Sequence, residues 1–127
     1  MNISSNEKGL GGALTNMTEL AYRKGNIVFH YPVTLDTVYE DSEQAYQKQK
    51  TDSAEYNDKM MIAVIKEKLI QHPKLIAGID KRGGYEFLLT CSHFTGAKSA
   101  RFKSWEGVGV ESRFIRNLLA GYNATKA

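Results

Sequence analysis

The stretch "MMIAVIKEKLIQHPKL", residues 60–75, decides the fold of this chain. Its apolar side chains recur at intervals of three and four residues, which is the spacing of one face of an α-helix. The residues on that face are Met61, Ile62, Ile65 and Leu69. The His72-Pro73 pair marks the end of the helix, because proline lacks the amide hydrogen that a continuing helix needs. The sequence therefore predicts a long helix over about residues 54–71.

Further helices are predicted on both sides of this one. Asp41 is a good N-cap and is followed three residues later by Gln44, which predicts a helix over about residues 41–51. Pro73 suits the first turn of a short helix that ends at Gly83-Gly84. Near the C-terminus, apolar residues at helical spacing predict a last helix over about residues 110–122.

Two stretches favour strands. The segment "NIVFHYPV", residues 26–33, is rich in β-branched and aromatic residues and predicts a short strand ended by Pro32, and "YEFLLTCS", residues 85–92, predicts a buried strand. The chain is therefore expected to be α+β, mainly α-helical, with a few short strands in a single domain. Residues 1–25 are glycine-bearing and polar, so they are expected to be flexible or loop-like, with the folded domain over residues 26–127.

Composition excludes several classes of protein. The chain has 127 residues, enough for one domain with a proper core. It contains no apolar run of the ~18 residues that a membrane-spanning helix needs, and its start does not have the pattern of a secretory signal. The single Cys91 cannot form an internal disulfide, which favours a cytoplasmic protein. The GxGxxG and GxxxxGKS/T phosphate loops are absent, which argues against Rossmann and P-loop enzymes.

The charge of the chain is unevenly distributed. The formal net charge is +3, and basic residues are concentrated in the last third of the chain. These residues are Lys98, Arg101, Lys103, Arg113 and Arg116. Such a region suits a phosphate-bearing partner, whether a nucleotide or a nucleic acid. Solvated surface charge explains the same composition equally well.

The predicted helix over residues 41–51 carries a polar face. In "YEDSEQAYQKQK", residues 39–50, Glu43, Gln47 and Lys50 lie four and three residues apart, with Tyr46 beside them. A face of this kind is usually the solvated side of a surface helix. The alternative is that it lines a binding cleft.

Three segments in order resemble the NADAR family, which is named for its association with NAD and ADP-ribose. They are "YEDSEQAYQKQK", "MMIAVIKEKLIQHPKL" and "WEGVGVESRFIRNLLAGY". The resemblance covers residues 26–123, and its specificity comes from the order and spacing of the segments rather than from one motif. It implies a NADAR-type domain over residues 26–127.

The resemblance also implies a function. Members of that family are N-glycosidases, so this chain is expected to cleave an ADP-ribose-type N-glycosidic bond and to need no cofactor. The expected substrate is ADP-ribosylated guanine in DNA or RNA, and the reaction would reverse modification by a toxin or defence enzyme, in a phage or toxin–antitoxin setting. Two alternatives stay open: an N-glycosidase acting on a phosphorylated intermediate of riboflavin synthesis, and a non-catalytic module that binds ADP-ribose or a nucleotide.

Particular residues are expected to form the site. The family's motif glutamate and lysine fall on Glu43 and Lys50, which are expected to be catalytic. Other motif positions, expected to bind substrate, fall on Tyr46, Gln47, Trp105, Gly107, Gly109 and Asn117. From their own chemistry, Arg101 and Arg113 are expected to bind phosphate, and His93 is expected to act as an acid or a hydrogen-bond donor to the ligand.

The chemistry of glycosidic cleavage explains these residue types. The bond breaks through an oxocarbenium-like state at the sugar C1 while the leaving base gains electrons. A carboxylate such as Glu43 can stabilise that cation or exchange protons with sugar hydroxyls. Lys50 would bind a phosphate or form a Schiff base with an opened sugar aldehyde. Trp105 would stack on a base, and Gly107 and Gly109 would let backbone amides approach a diphosphate.

Ordinary structural functions remain open for the same residues. The dipole at a helix start also favours an acid at Glu43, Trp105 can anchor a core, and His93 can be a hydrogen-bonded structural residue. The chain departs from the family pattern where "FLLTCSHFT", residues 87–95, replaces an acidic segment and where Glu106 replaces a glycine. The histidines share neither a helix face nor a ligand spacing, so the sequence predicts no metal site.

Overall fold

The structure is a computed structural model that describes residues 1–96 and 99–127, with the backbone alone for Ala100 and Arg101. Its helices are α1 (Leu10–Leu14), α2 (Thr18–Arg23), α3 (Ser42–Gln49), α4 (Ala54–Gln71), α5 (Pro73–Lys81), α6 (Tyr85–Thr90), α7 (Ala100–Lys103) and α8 (Arg113–Thr125). Its strands are β1 (Val33–Thr34), β2 (Val38–Tyr39), β3 (Ser92–His93) and β4 (Gly107–Val108). The α+β, mainly helical, single-domain fold predicted from the sequence is confirmed.

Helices α4 and α8 pack against each other at the centre of the fold. Each follows a serine whose hydroxyl accepts a hydrogen bond from a backbone amide of the first turn, Ser53 at α4 and Ser112 at α8. A Cβ atom on Gly121 of α8 would lie 2.7 Å from Cγ2 of Ile65 in α4, so the glycine allows the two helices to approach closely. The fully buried side chains around this contact include Ile65, Leu69, Leu88, Ile115 and Leu118.

The predicted helices over residues 41–51, 54–71, 73–83 and 110–122 correspond to α3, α4, α5 and α8. Asp41 caps α3 as predicted, since its Oδ1 accepts a hydrogen bond of 3.0 Å from the amide of Gln44. Helix α8 begins three residues later than predicted, because Gly109–Glu111 form a separate 3-10 turn before the Ser112 cap. Within the described part of the chain, no helix is both long enough and apolar enough to cross a membrane.

The strand predicted over residues 26–33 is largely wrong. Only Val33 of that stretch is in a strand, and β1 pairs antiparallel with β2 through the register Val33↔Tyr39 and Thr34↔Val38. Proline has no amide hydrogen to donate, and β1 begins directly after Pro32. Val28 and Phe29, which suggested a strand, are 77% and 63% exposed in an irregular segment.

The buried strand predicted over residues 85–92 is also wrong. Residues 85–90 form α6, and only Ser92 belongs to a strand, β3, which pairs antiparallel with β4. Gly83 and Gly84 have φ of 121° and 67°, so the chain turns sharply before α6 begins. A short apolar run cannot distinguish a strand from a buried helix by its pattern, and within α6 only Leu88 is fully buried.

Residues 1–25 are called the N-terminal segment below. The sequence predicts that they are flexible or loop-like, and the structure shows that they are not. They contain α1 and α2, and Ile3, Leu14 and Ala21 are 0–2% exposed. The amide of Ile3 donates to the Ser92 carbonyl over 2.8 Å, and the amide of Ser92 donates to the Met1 carbonyl over 2.9 Å. The segment is therefore tied to β3 and belongs to the same core as the rest of the chain.

Candidate functional site

A cavity of about 960 Å³ opens between stretches that are far apart in the sequence. Its volume lies within the range of small-molecule sites, roughly 300–1,000 Å³. Its walls come from the N-terminal segment, α3 and the loop after it, the start of α4, β3 and the loop after it, α7 and the loop after it, and the start of α8. The predicted site residues on these walls are Glu43, Tyr46, Gln47, Lys50, His93, Trp105 and Arg113. The structure thus brings most of the predicted site together.

Glu43 lies half-buried in the first turn of α3, on the cavity wall. Its amide donates to the Asn16 carbonyl over 3.0 Å, which joins α3 to the loop between α1 and α2. Its Oε1 accepts a hydrogen bond of 2.7 Å from the side-chain amide of Gln47. Burial raises the pKa of Glu43, and the hydrogen bond from Gln47 opposes that rise. The charge of Asp41 raises the pKa and the charge of Lys50 lowers it, both more weakly. The carboxyl group is therefore easier to protonate than an exposed one.

Gln47 and Lys50 continue the same face of α3 toward solvent. Both side chains are exposed while lining the cavity, so they lie at its mouth. Lys50 is the residue that ends α3, and its amide donates to the Tyr46 carbonyl over 3.0 Å. The polar face predicted from the spacing of Glu43, Gln47 and Lys50 is therefore a cavity wall.

Trp105, Arg113 and Tyr46 form a cluster on the cavity wall, in which Arg113 lies over the ring of Trp105. The guanidinium carbon of Arg113 lies 4.0 Å from the centre of the Trp105 ring, a cation–π contact. The rings of Trp105 and Tyr46 meet edge to face, with centroids 6.2 Å apart. Burial raises the pKa of Tyr46. A ligand base stacking here would meet a Trp105 ring with one face already covered by Arg113.

Asp58 on α4 holds the Arg113 side chain in place. Its Oδ1 accepts from Nε of Arg113 over 2.7 Å and from Nδ2 of Asn117 over 3.1 Å. Asn117 is only 4% exposed and is not on the cavity wall, so it contacts the site through Asp58 rather than as a substrate-binding residue. Sequence reasoning missed Asp58, because it lies 55 residues from Arg113 and no local pattern connects them.

His93 lies in β3 with its ring against the cavity. Its Nδ1 donates to the Ile3 carbonyl over 2.6 Å, because a carbonyl can only accept, and this leaves Nε2 as the acceptor of a neutral ring. The ring packs at 4.6 Å against Phe114. Burial lowers the pKa of His93, while the Ile3 carbonyl and Glu106 act against the shift. The N-terminal segment therefore orients this histidine.

Gly107 and Gly109 do not line the cavity. Gly107 pairs with His93 between β4 and β3, and the amide of Gly109 donates to the Cys91 carbonyl over 2.9 Å. A Cβ on Gly109 would lie 2.6 Å from the Leu89 carbonyl oxygen. These glycines permit close backbone packing, and the Gly109 amide is not available to a diphosphate. The side chain of Arg101 and all of Lys98 lie outside the described residues.

Sequence reasoning missed cavity residues that come from the N-terminal segment and from the loop after α7. They include Ser5, Asn6, Asn16, Lys24 and Glu106. Oε2 of Glu106 accepts hydrogen bonds from the amide and hydroxyl of Thr95, over 2.6 and 3.0 Å. The Asn16 side chain is 5% exposed, and its Oδ1 has no hydrogen-bond partner in the described part of the chain. No local sequence signal marks these positions, because their neighbours in the cavity are distant in sequence.

In residues 1–96 and 99–127, no group of three or more His, Cys, Asp or Glu side chains is arranged to hold a metal ion. Comparisons with known protein families, curated proteins and solved structures found no match. The geometry of the cavity is therefore the basis on which a function can be argued.

Proposed function

We propose that the cavity is the active site of an N-glycosidase that cleaves an ADP-ribose-type N-glycosidic bond, with ADP-ribosylated guanine in DNA or RNA as substrate. The observation that carries the proposal is the half-buried Glu43 carboxylate on a cavity wall that also holds Trp105 and Arg113. A reactive acid, a stacking surface and a cation are the groups that a nucleotide-linked sugar requires.

The distribution of chemistry along the walls supports a phosphorylated, base-bearing substrate. The Trp105–Arg113 stack offers flat π and guanidinium surfaces to a base. Lys50 at the mouth offers an exposed ammonium to phosphate oxygens. Glu43 lies deeper than Lys50 on the same face of α3, beside the stretch that contains Asn16. A sugar at Glu43 would then have its phosphates near the mouth.

The proposed reaction is hydrolysis at the sugar C1. The C–N bond breaks, its electron pair passes to the base nitrogen, and that nitrogen takes a proton from solvent. Glu43 stabilises the positive charge that develops at C1, accepts the proton that the attacking water loses as its oxygen bonds to C1, and then releases that proton to solvent. A raised pKa suits this function, because a group that both gains and loses a proton works best when its pKa lies nearer to the working pH.

Release of ADP-ribose from guanine-ADP-ribosylated DNA is the direct test. We expect the wild-type chain to release it, and Glu43→Gln to lower kcat by roughly 100- to 10,000-fold, as loss of an acid–base group does. Glu40→Gln is the matched control, because Glu40 is an exposed carboxylate three residues earlier that does not line the cavity. The control is expected to retain full activity.

The same assay separates the alternatives. One other outcome is that the chain releases the base from a phosphorylated riboflavin intermediate and leaves modified DNA unchanged. That result would contradict the proposed substrate and support the same reaction, cleavage of an N-glycosidic bond. Saturable binding of ADP-ribose without release of any product would favour the binding module. Equal activity of Glu43→Gln and the wild type would remove Glu43 from the mechanism.

A further inference from the structure

A lysine from the N-terminal segment is held at the cavity wall by neutral partners. Lys24 follows the last residue of α2, and its Nζ donates to Oγ of Ser5 over 3.0 Å and to Oδ1 of Asn6 over 2.7 Å. All of these residues line the cavity. A hydroxyl and an amide oxygen orient the ammonium group, but neither neutralises its charge.

The charge of Lys24 remains available to a ligand. Among the described residues, no carboxylate forms an ion pair with Lys24. An ammonium group has three N–H donors, and the contacts to Ser5 and Asn6 use two of them. The Ser5 hydroxyl and the Asn6 side-chain amide supply further hydrogen-bond donors beside it.

The backbone that carries these partners is fixed. The side-chain amide of Asn26 donates to the Ser5 carbonyl over 2.8 Å, and the backbone amide of Asn6 donates to Oγ of Ser4 over 3.1 Å. Ser4 is 1% exposed, and Ile3 before it is fully buried. A ligand would therefore meet donors that are already ordered, which lowers the entropy cost of binding.

The position of Lys24 complements that of Lys50. Each lysine follows the last residue of a short helix, α2 or α3, and Asp41 joins these helices by accepting from the amides of Glu19 and Gln44 over 3.0 Å each. Lys50, like Lys24, forms no ion pair with a carboxylate of the described residues. The same cavity therefore has on its walls two ammonium groups that form no carboxylate ion pair in the described part of the chain.

We infer that Lys24, together with Ser5 and Asn6, forms a phosphate subsite that binds the diphosphate of the ligand. The choice of a diphosphate rests on the proposed function. The anion site itself depends only on the contacts around Lys24, so the two can fail separately.

Titration calorimetry with ADP-ribose, inorganic pyrophosphate and adenosine tests the subsite. Lys24→Met is expected to weaken binding of ADP-ribose and pyrophosphate by about tenfold or more, because a hydrogen bond to a charged partner is lost, and to leave adenosine unchanged. Lys24→Arg is expected to recover most of the affinity. Lys8→Met, which removes an exposed lysine of the same segment outside the cavity, is the control and should match the wild type.

Several outcomes would overturn the subsite. One is a wild-type chain that binds neither ADP-ribose nor pyrophosphate. Another is equal weakening of all three ligands in Lys24→Met, which would show that Lys24 only holds Ser5 and Asn6 in place. Fluorescence of Trp105, the single tryptophan, checks that each variant keeps its folded environment. Pyrophosphate binding that depends on Lys24, without release of ADP-ribose from DNA, would support the subsite and contradict only the glycosidase.

Discussion

The carboxylate of Glu43 shows how its surroundings determine what a single side chain can do. As the second residue of α3 it has the place that a helix dipole favours for any acid. Its half-buried position raises its pKa, and the hydrogen bond from Gln47 limits that rise. Glu40, a nearby glutamate, is exposed and lies outside the cavity. Burial beside the cavity therefore makes Glu43 the candidate acid–base group.

For the proposed glycosidase activity, Gln47→Ala is expected to move the acid limb of the pH–activity profile to higher pH. The Gln47 amide stabilises the charged form of Glu43, so its removal raises the pKa of that carboxyl further. Profiles of kcat/KM against pH for the wild type and the variant give the comparison. Gln49→Ala, whose amide instead contacts Tyr39 over 3.4 Å, should leave the limb in place. A limb that moves to lower pH, or not at all, would contradict the assignment of Glu43.

Asp58→Ala is expected to release Arg113 from the face of Trp105. It removes the 2.7 Å partner of a guanidinium that is only 19% exposed, so we expect the emission of Trp105 to shift and stability to fall by about 1–3 kcal/mol. Asp58→Asn keeps an acceptor oxygen and should preserve most of the stack. Glu55→Ala, on the same helix with an exposed ion pair at 3.9 Å, serves as control. An unchanged Trp105 spectrum in Asp58→Ala would show that Arg113 stacks without this support.

At the scale of elements, a buried lysine joins α4 to the end of α1. Nζ of Lys68 donates to the carbonyls of Ala13 and Thr15 over 2.6 and 2.7 Å, and the side chain is 2% exposed. The last carbonyls of a helix have no partner within it, so the lysine satisfies groups that burial would leave unpaired. Burial lowers the pKa of Lys68 to about 7, although Asp41 opposes the shift. A neutral amine still has two N–H groups for the two carbonyls.

Lys68→Met is expected to lower the free energy of unfolding by about 2–5 kcal/mol, because both carbonyls lose their donor in the core. Urea denaturation measures the loss. Lys59→Met, at a side chain of the same helix that is 75% exposed, should change stability by less than about 0.5 kcal/mol. Equal losses of unfolding free energy in the two variants would show that the carbonyls of Ala13 and Thr15 find other donors.

The stability difference between the wild type and Lys68→Met should also depend on pH. The pKa of Lys68 is about 7 in the folded state against 10.5 ordinarily, so between these values the unfolded chain binds more protons. The contribution of Lys68 to folding stability therefore rises as pH increases from about 7 toward 10.5. Denaturation of both proteins across this range should show the gap widening, and a gap that stays constant would mean that Lys68 stays charged in the core.

At the scale of the whole molecule, the N-terminal segment joins the core and the cavity into one unit. Asn2 forms a parallel bridge with Ser92, and the Ile3 carbonyl accepts from His93. Farther along, the same segment supplies Lys24 to the cavity wall. Loosening the start of the chain would therefore disturb both stability and the site.

Ile3→Ala is expected to lower the free energy of unfolding by about 2–5 kcal/mol, as removal of a fully buried aliphatic side chain does. Chemical denaturation followed by Trp105 fluorescence would measure it, since Trp105 lies in the other half of the chain. Val28→Ala, at a side chain that is 77% exposed, should cost no more than about 0.5 kcal/mol. A similarly small cost for Ile3→Ala would mean that the segment is not part of the cooperative unit.

The sequence by itself determined the helices whose signals are local. The Asp41 cap set the start of α3, and the His72-Pro73 pair separated α4 from α5. It also placed Glu43, Gln47 and Lys50 on one face, because helical spacing is a property of neighbouring residues. It failed at residues 85–90, where a short apolar run fits a helix and a strand equally well.

Only the tertiary structure decided which surfaces face each other. The Arg113 stack depends on Asp58, 55 residues away, and the orientation of His93 depends on Ile3, 90 residues away. Such contacts arise because burying apolar surface folds distant segments together, and no local spacing encodes them. The same packing brought Lys24 from a segment expected to be loop-like onto the wall that carries Glu43. The residue types of the site were therefore readable from the sequence, whereas their convergence on one cavity required the fold.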